Sequence, residues 1–182
     1  MRLLRSIVPV LLLTAFAVST AEAQNRAGFW ISGGIGGGVN TAESLDGARL
    51  GGAAGYLRLG GTVSDKLLLG VEFNGWTRSN NGIGNIRSNT TFTALLYPSP
   101  VGSFFLKGGL GISMVRVSAD IGSISVSGTE AGFGSTIGLG YDIAVGSVSL
   151  TPNMDLLFQT FGGGTSTTTN TLLLFTIGIT GH

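Results

Sequence analysis

From residue 28 onward the chain alternates apolar with polar or glycine positions, the period of two that puts successive side chains on opposite faces of a strand. Over residues 28–39, Phe29, Ile31, Ile35 and Val39 share one parity, while Trp30, Ser32, Gly34, Gly36 and Gly38 take the other. The pattern recurs over 50–63, 67–76, 89–97, 104–114, 132–143, 148–158 and 172–180. Each segment is about ten residues, the length a tilted strand needs to cross a bilayer. Eight such segments predict an eight-stranded antiparallel up-and-down transmembrane β-barrel. Pro152 inside the seventh predicts a bulge, because proline cannot donate to a ladder.

The connections alternate in length. Those near 40–49, 77–88, 116–130 and 160–170 are long and polar, whereas those near 64–66, 98–102 and 144–147 are short. Outer-membrane barrels pair long extracellular loops with tight periplasmic turns. Aromatic belts are expected at Phe29, Tyr97, Phe104 and Tyr141 below and at Trp76, Phe133, Phe158 and Phe161 above.

Charge fixes the faces. Arg58, Glu72, Lys107, Asp142 and Asp155 all oppose the Leu/Ile/Phe parity of their segments. A Lys or Arg on a lipid face at mid-bilayer costs about 2–4 kcal/mol, so these five are expected in the lumen, where they must pair. A hairpin centred on Asp65 brings Arg58 opposite Glu72, with Lys107 free to join Glu72 or Asp155. Glycines on the inward parity leave room for these side chains. Eight strands enclose a space that side chains just fill, so the cluster reads as a structural plug in a polar lumen rather than an ion gate.

Residues 1–23 read as a signal peptide: Arg2 and Arg5, an apolar stretch from Ile7 to Val18, then Ala21-Glu22-Ala23 as a cleavage pattern. Residues 24–182 then form the barrel domain. Charged residues are only 10% of the chain, against about 25% in ordinary domains, yet no later stretch suits a membrane helix. The balance of charges is near neutral, which offers no footprint for nucleic acid. There is no cysteine, so closure of the sheet rather than disulfides must hold the exported chain.

Little chemistry offers itself. The single histidine, His182, cannot build a triad or a multi-histidine metal site. Glu43, Asp46, Asp120 and Glu130 lack the spacing of a calcium loop and read as solvated surface. No run completes G-x-G-x-x-G or G-x-x-x-x-G-K. Neither a cofactor nor catalysis is expected.

The runs Leu59-Gly60-Gly61-Thr62-Val63-Ser64 into Leu69-Gly70-Val71-Glu72, Tyr97-Pro98 and Lys107-Gly108-Gly109-Leu110-Gly111 resemble hairpins of the small outer-membrane barrels of the OmpA and OmpX type. The resemblance covers the mature chain. It implies a place in the outer membrane of a two-membraned bacterium, contact with outer-membrane lipid and insertion by the outer-membrane assembly machinery. The sequence stops with the eighth segment, so no appended peptidoglycan-binding domain is expected. It carries no common activity. Members usually end in an aromatic residue on the apolar parity, and here His182 departs from that assembly signal.

The expected role is therefore structural or interactive, without catalysis, through the outer loops. Ile121, Ile124 and Val126, spaced among serines, suggest a hairpin that extends the fifth and sixth strands past the membrane and offers an edge to an extracellular protein or surface partner. Two alternatives stay open: a narrow passive channel for ions or small solutes, and a secreted lipocalin-like barrel with its apolar face turned inward.

Overall fold

The structure is a computed structural model describing residues 26–41, 50–80, 82–121, 124–162 and 167–182. The segment expected to be a signal peptide, residues 1–23, lies outside the described residues, as do Glu43 and Asp46. The strands are β1 (Phe29–Asn40), β2 (Leu50–Ser64), β3 (Leu67–Asn80), β4 (Ile83–Leu96), β5 (Phe104–Ile121), β6 (Ile124–Tyr141), β7 (Ile143–Val145), β8 (Val148–Phe161) and β9 (Thr168–Gly181). Each pairs antiparallel with its chain neighbours, apart from the breaks at β7. β1 also pairs with β9, and β6 with β8, so the sheet closes on itself. β7 continues the line of β6, which leaves eight staves and a closed antiparallel barrel.

The faces follow charge as the parity requires. Leu106 is 45% exposed and Leu139 38%, whereas Lys107 between their rows is 5% exposed. The outer wall carries the aliphatic and phenyl rows, among them Ile35, Leu110, Ile112 and Ile177. That wall is the reverse of a lipocalin-like barrel, and the soluble alternative falls with it. Inside, apolar side chains gather at two levels. Trp30, Leu68, Leu95, Tyr97 and Phe105 pack near the short turns. Ala54, Trp76, Leu157, Leu172 and Leu174 pack near the loop end.

Several expectations are corrected. The loop expected at 77–88 is mostly strand, since β3 runs to Asn80 and β4 begins at Ile83. The connection carries Asn81-Gly82, and Gly82 has φ +76°, the left-handed backbone that Asn-Gly hairpin turns use. Likewise 116–130 is largely the paired tip of β5 and β6, where the backbones of Ile121 and Ile124 face each other.

Pro152 does not make a bulge. The pairing of β8 with β6 stops at Gly140↔Asn153 and resumes through β7 at Ile143↔Leu150 in the same register. Pro152 would face Tyr141 there and has no N–H to give, so the ladder opens for two positions and then continues. The backbone N–H of Asp142, in the gap, donates to the carbonyl of Ser103. Finally, Trp76, Tyr97 and Phe161 are not belt residues. They are at most 2% exposed and point inward, as their parities with Glu72, Thr93 and Asp155 dictate.

Candidate functional site

β2 and β3 set the centre of the lumen. Their hairpin holds Arg58 opposite Glu72, with one irregularity at Val63 that tightens the turn to Asp65 and Lys66. Arg58 Nε lies 3.4 Å from Glu72 Oε1. Lys107, arriving from β5, touches the same Glu72 oxygen and also lies 2.8 Å from Asp155 Oδ1 on β8. All four residues are buried. Two cations and two carboxylates thus form a neutral quartet that ties β2, β3, β5 and β8 together. Removing water from ions is costly, and only such mutual pairing offsets it.

Asp142 is not in this quartet. Its Oδ2 accepts from the Tyr97 hydroxyl at 2.7 Å and its Oδ1 from Thr151 at 2.8 Å. The Tyr97 hydroxyl is the donor in that pair, and both groups are buried. Neutral groups join the two layers. Arg58 Nη2 donates to Asn153 Oδ1 at 3.0 Å, and Asn153 Nδ2 donates to the Tyr56 hydroxyl at 3.1 Å. Tyr56, Ser32, Thr180 and Thr151 continue the chain of hydroxyls to Asp142. The Arg58 guanidinium also lies over the Tyr56 ring, 4.2 Å from its centroid.

Inward glycines make the space. A methyl group at Gly138 would meet the Asp155 carboxylate, and one at Gly178 would meet the Tyr56 hydroxyl. Below the hydroxyl chain, Arg26 stacks 3.7 Å from the centroid of Tyr97 and donates to the carbonyls of Pro100 and Gly102. The inward parity of Tyr56, Thr151 and Asn153 was visible in the sequence, although their bonding partners were not. Arg26, ahead of the first strand, carried no signal at all.

At the loop end, β5 and β6 form the longest pair. β6 pairs with β8 only from Phe133 to Gly140, and Gly132 still abuts the Thr160 carbonyl, so residues 124–131 have β5 on one side and, among the described residues, no strand on the other. Val126 there is 59% exposed. The outward apolar row of β5 ends at Met114, opposite Ala131, and the next outward residue is Arg116. The free edge therefore stands above the apolar band.

No curated protein sequence matches the chain. Among solved structures, Neisserial surface protein A (NspA) shares the fold with a TM-score of 0.60 at 16% identity, covering 85% of this chain and 97% of that one. Ail, the attachment invasion locus protein of Yersinia pestis, has a TM-score of 0.58 at 12% identity, covering 85% and 99%. At such identities the likeness is one of fold. The family model of the outer membrane protein beta-barrel domain matches residues 8–170. With its apolar wall facing out and its charges paired inside, this chain belongs to that family of bacterial outer-membrane barrels.

Proposed function

We propose that the protein is a non-enzymatic surface barrel of the outer membrane, held rigid by its filled lumen, whose outer β5–β6 hairpin binds a partner by strand addition. The observation that carries this reading is the edge of β6 over residues 124–131, which has no second partner strand among the described residues. Every second residue of such an edge turns its N–H and C=O away from β5, and an unpaired row of this kind is a template for another extended segment. Ile121, Ile124 and Val126 belong to this tip. Two structural relatives are named as a surface protein and an attachment protein, which is in keeping with a role at the cell surface.

The test is deletion of residues 118–127. Bacteria carrying the shortened barrel are expected to lose adhesion to host-cell monolayers or capture of serum proteins, while the purified protein keeps the heat-dependent gel shift of a folded barrel. Adhesion and capture unchanged by the deletion would overturn the reading.

The side chains that fill the lumen speak against a narrow channel. The neutral quartet lies between two apolar layers, and planar bilayers loaded with the protein are expected to show no conductance steps. Export with cleavage after Ala23 belongs to the same reading, so N-terminal sequencing of purified protein should begin at Gln24.

A further inference from the structure

At the outer mouth, among the described residues, two arginines take no part in the ion pairs of the lumen. Arg78 on β3 shares parity with Glu72, Asn74 and Trp76, and Arg87 on β4 with Asn89 and Thr91. Both therefore turn toward the barrel axis at its outer mouth, and both are half-buried. The register sets Trp76 opposite Arg87 and Arg78 opposite Asn85. The two cations are thus diagonal neighbours on one face of paired strands, a spacing of about 7–8 Å at Cα. Like charges that close disfavour each other unless an anion lies between them.

No described residue supplies that anion. Arg78 Nη1 donates to the Gly51 carbonyl at 3.2 Å. Arg87 Nε is buried and has no acceptor, and neither arginine forms an ion pair among the described residues. Glu130 is the acidic side chain on this wall, but it is exposed and stands on β6, with Val115 of β5 between it and Arg87. Beside the arginines, Asn85 Oδ1 is buried without a donor. A missing acceptor and a missing donor therefore adjoin each other in one mouth.

We propose that Arg78, Arg87 and Asn85 bind a saccharide bearing a phosphate or sulfate ester. The ester oxygens accept from the two guanidinium groups, whose planar forks match a tetrahedral oxyanion. A neighbouring sugar hydroxyl donates to Asn85 Oδ1. Phosphorylated saccharide of the outer-leaflet lipid and sulfated glycan from outside the cell present this same chemistry.

Full-length protein refolded in detergent micelles is titrated calorimetrically with a bisphosphorylated glucosamine disaccharide and, separately, with a trisulfated heparin disaccharide. Saturable binding of either, weakening as salt rises, is expected, and the tighter of the two identifies the source. Arg78→Gln and Arg87→Gln should each weaken binding about tenfold or more. Asn85→Ala should weaken the disaccharide but not inorganic phosphate. Arg116→Gln, on the outward parity of β5, should leave affinity unchanged. Absence of binding by both saccharides, or an equal loss in Arg116→Gln and Arg87→Gln, overturns the site. Gel mobility before and after boiling keeps a folding defect apart from a binding defect.

Discussion

Glu72 illustrates what one residue decides in this lumen. Its carboxylate is shared by Arg58 and Lys107, and all three are buried. Glu72→Gln leaves two cations facing Asp155 alone, and breaking a buried pair in this way costs about 3–5 kcal/mol. Urea unfolding in detergent micelles should show a loss of that size. The double variant Glu72→Gln with Lys107→Met, which restores neutrality, should recover part of it. A single variant within about 1 kcal/mol of the parent would mean that water reaches the quartet. Gly138 makes the complementary case. Gly138→Ala puts a methyl on the Asp155 carboxylate, and such overpacking should cost about 1–3 kcal/mol in the same assay.

Among the elements, the break between β6 and β7 has a one-atom cause. The register is the same on both sides of the gap, so restoring a donor at position 152 should close it. Pro152→Thr is expected to gain about 0.5–1.5 kcal/mol from the added hydrogen bond, with slow hydrogen exchange at that amide. Fast exchange there and an unchanged unfolding midpoint would assign the gap to Asp142 instead. The β2–β3 hairpin shows how far an element can be read from composition. Ser64-Asp65-Lys66 between two alternating segments fixes the register of Arg58 on Glu72, and the irregularity at Val63 does not disturb it. β3–β4 shows the opposite. The polar residues 77–88 look like a loop by composition, yet the pairing runs up to Asn80↔Ile83, with Gly82 at positive φ in the connection.

For the whole molecule, the assignment of inside and outside has a direct optical test. Trp30 and Trp76 are each 1% exposed and lie within the barrel, so brominated acyl chains should leave their fluorescence nearly unquenched. A tryptophan placed at Phe133, which is 57% exposed on the wall, should be quenched strongly. Equal quenching of the native pair and the wall probe would invert the faces. Strand number, the separation of lumen from wall, and the partner of Arg58 were all legible in the sequence. Parity is a property of each strand by itself, and a charge on the lipid face is too costly to be ambiguous. Trp76, Tyr97 and Phe161 were legible in the same way, since parity outranks closeness to a strand end. Tertiary structure alone decided that Lys107 reaches both Glu72 and Asp155, that Asp142 bonds Tyr97 and Thr151 apart from them, and that Arg26 stacks on Tyr97. Apart from Asp142 with Thr151, which meet across a short turn, those contacts join parts of the chain far apart in sequence. Their heights are set by strand tilt and stagger at closure, which no local pattern of residues encodes.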